Sequence, residues 1–150
     1  MTIRRLKKIS DQHKTAILDE LKALLCVHKE VIFALLYGSL IDPEAERYGD
    51  VDLAIYVKPE HLRMPEFIFE SQIEAEATRL LSSRELNLIP VEVLIINNAP
   101  YSFLIRLFRG RYLALKEDEE ALTDFIDEVG ARSMANSHLR AESLHEVVED

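Results

Sequence analysis

Residues 31–57 of this 150-residue chain read VIFALLYGSLIDPEAERYGDVDLAIYV, two apolar segments separated by a polar one. Val31 to Tyr37 is an unbroken apolar run, which is typical of a strand buried on both faces. Asp50 to Val57 begins with alternating polar and apolar residues and predicts a second strand. Leu40 to Gly49 is polar and contains Pro43, so we expect a loop or a short helical turn between the strands.

Gly38 and Ser39 end the first strand and have the chemistry of a phosphate-binding turn. Glycine lets the backbone approach a phosphate closely, and the amide and hydroxyl of serine can donate to phosphate oxygens. A Gly-Ser pair is also a common turn without any ligand. The interpretation therefore depends on the two carboxylates of Asp50 and Asp52, which follow after ten intervening residues.

Three carboxylates are candidates for a metal site. Asp50 and Asp52 are two residues apart, so on a strand they share a face, and they repel each other unless a cation lies between them. Hard oxygen ligands of this kind suit Mg²⁺. Glu92 interrupts an apolar third strand; beside the second strand it would complete the site, as a metal bridge or proton acceptor. Alternatively, Glu92 is a solvated residue at the sheet edge, and the Asp-x-Asp pair is only a turn.

Helical patterns alternate with the strands along the rest of the chain. We expect helices capped by Asp11, starting at Pro65, covering Tyr101 to Arg109, and following the acidic run 117–120. Further extended segments are expected at 91–96 and 111–115. This alternation predicts one α/β (α+β) domain over residues 1–150, with a small mixed sheet flanked by helices, a core over about 10–130 and a C-terminal helical extension.

The charge distribution limits the classes of partner. The net charge is -9, which argues against direct binding of nucleic acid, because such binding relies on neutralising phosphates with lysine and arginine. The basic residues form two groups, which we interpret as a mobile arm and a solvated face: Arg4, Arg5, Lys7 and Lys8 at the N-terminus, and Arg106, Arg109 and Arg111 near the third helix.

Compartment and membrane association follow from two simple observations. The single cysteine, Cys26, excludes an internal disulfide, and its apolar helical context predicts a small buried side chain. The longest apolar run, Val31 to Tyr37, is too short to cross a bilayer, and we expect no signal peptide. The expectation is a cytoplasmic protein without a membrane partner.

The combination of Gly38-Ser39 with Asp50-Val51-Asp52 resembles the signature of the minimal nucleotidyltransferases (MNT), members of the DNA polymerase β superfamily. The order of the predicted elements is similar to that family over roughly residues 10–130. The subgroup that the chain most resembles is the antitoxin of HEPN/MNT toxin–antitoxin pairs. This resemblance implies a nucleotidyltransferase fold and transfer of AMP from ATP to a tyrosine of a HEPN-type toxin, which silences the toxin.

The resemblance also implies a role for each motif residue. Gly38 and Ser39 would hold the triphosphate of ATP, the substrate. Asp50 and Asp52 would bind two Mg²⁺ ions that align the α-phosphate and neutralise the leaving pyrophosphate. Glu92 occupies the position of a third catalytic and metal-binding carboxylate, where the family more often has aspartate.

The loop after Ser39 departs from the family pattern. Many relatives have arginine or lysine directly after the serine, whereas this chain has Leu40 followed by the acidic residues Asp42, Glu44 and Glu46. Arg47 is the only cation near the motif in the sequence, so we expect either that it contacts the nucleotide or that nucleotide affinity is low without metal.

Two functions are consistent with these observations. The first is a Mg²⁺-dependent nucleotidyltransferase of the protein adenylyltransferase type, which transfers NMP to a hydroxyl of a partner protein. The second is a weakly active or inactive antitoxin, a binding module that neutralises its partner by occlusion, and the acidic loop favours it. The histidine spacing argues against a zinc site. The sequence leaves the nucleotide, the acceptor and any oligomer open.

Overall fold

The structure is a computed structural model and describes residues 10–45, 49–63, 65–86 and 89–132 of the chain. Its strands are β1 (Val31–Tyr37), β2 (Val51–Val57), β3 (Val91–Ile95) and β4 (Tyr112–Lys116). They form one sheet in the order β3-β2-β1-β4. β1 is antiparallel to both of its neighbours, and β2 is parallel to β3, so the predicted small mixed sheet is confirmed.

Four helices accompany the sheet in the described part of the chain. They are α1 (Asp11–Val27), α2 (Glu66–Ser83), α3 (Tyr101–Arg109) and α4, which covers residues 119–132. Short 3₁₀ turns lie at Ser39–Ile41 and Pro59–Arg63. The α+β class expected from the sequence is therefore confirmed.

Two details of α1 differ from the sequence-based expectation. The N-cap is Ser10 rather than Asp11, because the Ser10 hydroxyl accepts a hydrogen bond from the His13 amide at 3.2 Å. Cys26 is exposed, so the prediction of a buried side chain was wrong. The buried face of the helix consists of Ile17, Leu21 and Leu25, and position 26 lies about 100° around the helix from position 25.

Each face of the sheet has its own hydrophobic core. α1 and α2 cover one face, where they bury strand residues that include Leu36, Leu53 and Ile55. α3 and α4 cover the other face, where the stacked rings of Phe33 and Tyr56 lie 4.9 Å apart. Successive side chains of a strand alternate between the two faces. The sheet is thereby enclosed on both sides, which explains the continuous apolar run of β1.

The outer edge of β3 is closed by side chains of α2. The backbone amide of Val93 donates to a Glu74 carboxylate oxygen at 2.8 Å, and the amide of Ile95 donates to Glu70 at 2.8 Å. An edge strand otherwise presents unpaired amides to which another strand can add. These bonds therefore satisfy part of the β3 edge and fix this strand to α2.

No helix in the described residues is long and apolar enough to span a bilayer. The basic residues Arg4, Arg5, Lys7 and Lys8 lie outside the described residues, as do Glu46, Arg47 and the part of the predicted C-terminal extension beyond residue 132.

Candidate active site

The predicted carboxylates meet at one end of the sheet. In the strand register, Asp52 of β2 pairs with Tyr37 of β1 on one side and with Glu92 of β3 on the other. Directly paired residues present their side chains to the same face. Tyr37, Asp52 and Glu92 thus form a row across three strands, which we call the carboxylate row, on the face covered by α3 and α4.

Asp50 joins this row from the residue before β2. Asp50, Asp52 and Glu92 each offer one carboxylate oxygen, and these three oxygens lie within 4.8 Å of one another. The backbone amide of Val51 donates to the Pro90 carbonyl at 2.8 Å and so ties the start of β2 to the start of β3. The expectation that the third strand lies beside the second is confirmed.

Burial decreases from Asp50 to Glu92. Asp50 is buried with 7% of its surface exposed, Asp52 is half-buried, and Glu92 is exposed on the edge strand β3. Both interpretations of Glu92 therefore hold in part, because the residue is solvated at the sheet edge and is also within reach of the two aspartates. The cluster combines a buried, fixed ligand with an accessible one.

The three oxygens fit a divalent cation. Carboxylates are the hard ligands that Mg²⁺ prefers, and Mg²⁺ takes the rest of its octahedral shell from water and substrate phosphates. Three carboxylates within 4.8 Å also repel one another, and a cation between them removes this repulsion. The chemistry of the donor set therefore fits a divalent cation such as Mg²⁺.

Gly38 adjoins the metal ligands and must be glycine for two reasons. Its φ is +87° and its ψ is -161°, a combination that side-chain-bearing residues rarely adopt. A Cβ at this position would lie 2.5 Å from Oδ2 of Asp52. Ser39 follows at the start of the 3₁₀ turn. The Gly-Ser backbone and the Asp52 carboxylate are thus adjacent in space.

A pocket of about 610 Å³ opens beside Gly38, between the loop that follows β1 and the end of α3. Its charged lining residues are Asp42 and Glu44 from the loop, and Arg106 and Arg111 from the end of α3 and the residues after it. The volume is in the range of small-molecule sites, about 300–1,000 Å³. The carboxylate row, the glycine and the pocket form one continuous region of the surface.

The arginines of this pocket add a feature that the charge pattern did not reveal. The sequence predicts a solvated face for Arg106, Arg109 and Arg111, and all three are exposed. Arg106 and Arg111 also border the Gly38 pocket, whereas Arg109 does not line it. Arg47 lies outside the described residues. Arg106 and Arg111 were visible in the sequence, but their distance from the motif along the chain gave no sign that they would line a pocket beside Gly38.

Tyr37 belongs to the carboxylate row and also lines the pocket. Its ring packs edge-on against Phe103 of α3, with ring centroids 5.7 Å apart. Burial, followed by the negative charges of Asp52 and Glu92, raises the pKa of Tyr37 to about 12. The phenol therefore stays protonated at neutral pH and can donate a hydrogen bond into the site.

Comparison with protein families identifies one match over most of the folded region. A family model described as "Polymerase beta, Nucleotidyltransferase" matches residues 19–120, which is more than half of the chain. The match contains the Gly-Ser turn, all three carboxylates and the two pocket arginines. No curated protein sequence matches the chain significantly.

Several solved structures share the fold at low sequence identity. A toxin–antitoxin complex with AMP-PNP contains a chain that is 16% identical, with a TM-score of 0.62 and coverage of 89% of this chain and 96% of that one. The toxin–antitoxin complex MntA-HepT gives 13% identity, a TM-score of 0.54 and coverage of 94% and 97%. A structure from Shewanella oneidensis is 13% identical, with a TM-score of 0.56 and coverage of 95% of this chain and 98% of that one. At these identities the likeness is one of fold.

Proposed function

The chain belongs to the polymerase β nucleotidyltransferase family, and on this premise we propose that it is a Mg²⁺-dependent transferase that moves AMP from ATP to a hydroxyl group of a partner protein. The observation that carries the proposal is the cluster of Asp50, Asp52 and Glu92, with three oxygens within 4.8 Å. Gly38 adds the phosphate-binding backbone against Asp52.

The chemical step follows from the positions of these residues. The acceptor oxygen attacks the α-phosphorus, a new P–O bond forms, and the bond to the departing pyrophosphate breaks. Asp50 and Asp52 would hold Mg²⁺, which supplies Lewis-acid stabilisation of the phosphoryl oxygens when bound. Glu92, the exposed carboxylate, accepts the hydroxyl proton from the acceptor or shares the metal. Gly38 and Ser39 orient the triphosphate through their backbone amides and the serine hydroxyl.

The partner is proposed to be a HEPN-type toxin, and the chain its cytoplasmic antitoxin. Solved structures with the same fold include toxin–antitoxin complexes, one of them with AMP-PNP, which supports this choice of partner and nucleotide. The chain covers at least 96% of the length of these relatives. The small domain has no separate acceptor-binding unit among its described elements, which is consistent with an acceptor supplied by a second protein.

A second candidate is an antitoxin that acts by occlusion alone. The observation that favours it is the acidic side of the pocket, where Asp42 and Glu44 stand beside the turn that would receive a triphosphate. Like charges at this position weaken nucleotide binding. This candidate predicts tight binding of the toxin that is unaffected by Asp50→Asn, and no affinity for Mg²⁺-ATP.

Calorimetric titration of Mg²⁺-ATP distinguishes the two candidates. Binding that is lost in Asp50→Asn and kept in Asp19→Asn supports the enzyme, because Asp19 is an exposed aspartate of α1 whose change removes the same charge. Transfer of label from α-³²P-ATP to the partner, absent with Asp52→Asn, then identifies the acceptor. Absence of Mg²⁺-ATP binding by the wild type, or full transfer by both aspartate variants, contradicts the proposal. Competition by the other nucleoside triphosphates tests the choice of ATP.

A further inference from the structure

The pocket beside Gly38 contains two arginines that the proposed chemistry has not used. Arg106 lies in the last turn of α3, and Arg111 follows Gly110, where the helix ends. The salt bridges and side-chain hydrogen bonds found among the described residues do not involve either guanidinium. Both side chains are therefore available for a ligand of the pocket.

The positive charge of Arg106 and Arg111 favours an anionic ligand in this pocket. The whole chain carries a net charge of -9, so its general field repels anions, and anion binding needs a local concentration of positive charge. Two guanidinium groups supply it, and their planar donor pairs match phosphate oxygens. The loop contributes the carboxylates Asp42 and Glu44 to the same lining, and because like charges repel, we expect phosphates to lie nearer the two arginines.

The position of the pocket relative to the carboxylate row indicates which phosphates of a nucleoside triphosphate the two arginines would contact. The row runs from Tyr37 through Asp52 to the exposed Glu92, and the pocket lies at the Tyr37 and Gly38 end. An α-phosphate held at Asp50 and Asp52 has the accessible Glu92 end for the acceptor. The remaining phosphates then extend past Gly38 towards Arg106 and Arg111.

We propose that Arg106 and Arg111 bind the β- and γ-phosphates of the nucleoside triphosphate and stabilise the leaving pyrophosphate. The inference rests on the proposed function for the identity of the ligand. Residues 39–45, the described part of the loop after Gly38, contain no cation, so among the described residues that line the pocket the positive charge comes from Arg106 and Arg111. As the bond to the α-phosphorus breaks, negative charge increases on the pyrophosphate, and fixed guanidinium groups stabilise it.

The test is the binding of inorganic tripolyphosphate in Mg²⁺ buffer to wild type, Arg106→Ala, Arg111→Ala and Arg109→Ala, measured by calorimetry. Arg109 is the matched control, because it is exposed in the same helical turn but does not line the pocket. We expect each pocket variant to lose about tenfold in affinity, the typical effect of one charge-assisted hydrogen bond. Arg109→Ala should bind as the wild type does. Arg106→Lys should keep part of the affinity that Arg106→Ala loses, since it retains the charge without the paired donors.

Two further measurements test this inference separately from the proposed function. Mg²⁺ binding, followed by the shift in Tm on adding the ion, should be the same in Arg106→Ala as in the wild type. The affinity for AMP should also be unchanged, because AMP has no β- or γ-phosphate. Equal loss in Arg109→Ala, or no loss in either pocket variant, overturns the inference. The protein could bind tripolyphosphate through the two arginines and yet transfer no nucleotide. That result would contradict only the proposed function, because the binding of inorganic tripolyphosphate requires no transfer.

Discussion

A Cβ atom on residue 38 would lie 2.5 Å from Oδ2 of Asp52, so the position of this carboxylate on β2 requires glycine at the end of β1. The two residues are far apart in the sequence but adjacent at the end of the antiparallel β1–β2 pair, where Tyr37 pairs with Asp52. The Gly-Ser turn is consequently part of the support for the metal ligands as well as a candidate phosphate-binding turn.

Gly38→Ala should displace the Asp52 carboxylate and abolish Mg²⁺-dependent binding while the fold is kept. The added methyl group meets Oδ2 of Asp52, and alanine at φ +87° and ψ -161° costs about 1–3 kcal/mol of backbone strain. Gly130→Ala is the control, because a Cβ there meets nothing within 4 Å. Urea unfolding should show destabilisation at 38 only, and calorimetry with Mg²⁺-ATP should show lost binding at 38 only. A Gly38→Ala protein that binds Mg²⁺-ATP normally contradicts this account.

Mg²⁺ should raise the thermal stability of the protein through the carboxylate cluster. An ion that binds the folded state stabilises it by mass action, and the three oxygens within 4.8 Å are arranged only in the folded chain. At an ion concentration of about 100 times Kd the gain is about 2.7 kcal/mol. Calorimetric Tm values with and without Mg²⁺ should differ for the wild type and agree for Asp52→Asn. A shift of equal size in Asp52→Asn would place the ion elsewhere.

His28 should make stability depend on pH at the end of the sheet remote from the carboxylates. Its Nδ1 and Nε2 atoms lie 2.8 and 2.5 Å from oxygens of Glu30 and Glu76. Burial lowers the pKa of His28, but the hydrogen bonds and charges of Glu30 and Glu76 outweigh burial, so the pKa is raised above 6.5. Burial raises the pKa of Glu30, but the hydrogen bond with His28, a backbone hydrogen bond and nearby positive charge outweigh it, so the pKa of Glu30 lies below 4.5.

The stabilising effect of these pairs therefore has a defined pH window. A raised histidine pKa gives a contribution that is complete below pH 6.5 and is lost as the pH rises through the folded-state pKa of His28. A lowered glutamate pKa gives one that is complete above pH 4.5 and is lost as the pH falls through the folded-state pKa of Glu30. The difference in unfolding free energy between the wild type and His28→Gln should be largest between these values and shrink towards pH 9. His13→Gln, an exposed control on α1, should show no such profile.

Removal of the carboxylates that close the β3 edge should destabilise the chain. Without Glu70 and Glu74, the amides of Ile95 and Val93 lose their acceptors, and each alanine substitution should cost about 1–3 kcal/mol in urea unfolding. Glutamine at either position keeps an acceptor and should cost less. Gln72→Ala, on the exposed side of the same helix, serves as the control. Sedimentation of the double alanine variant should reveal self-association through the opened edge, and a stable, monomeric double variant would show that the edge needs no closure.

The sequence was sufficient for the elements whose signal is local. The apolar run of β1 was identified with its bounds, Val31–Tyr37, because a strand buried on both faces needs no partner information to be recognised. α3 was also found with its bounds, Tyr101–Arg109, since proline precedes it and glycine ends it. The α1 cap was assigned one residue late, because Ser10 and Asp11 are both good capping residues and only the hydrogen bond to His13 decides between them.

The sequence predicted the candidate metal ligands of the site but not the residues that line the pocket beside them. Asp50, Asp52 and Glu92 follow from strand alternation together with one assumed strand pairing, which the parallel β2–β3 register confirms. Arg106 and Arg111 reach the pocket through the packing of α3 against the sheet, a long-range contact that periodicity does not encode. A basic last turn on an amphipathic helix has the same sequence pattern whether it faces solvent or a ligand.

The bonds from Val93 and Ile95 to Glu74 and Glu70 have a consequence for the spacing of the metal ligands. Glu92 adjoins Val93 on the strand that α2 holds, so the distance from Glu92 to the two aspartates depends on a helix that contributes no ligand. We therefore expect substitutions at these two glutamates to change the rate of the proposed reaction, although neither residue is a metal ligand. A partner protein that binds α2 could therefore shift the position of the Glu92 carboxylate.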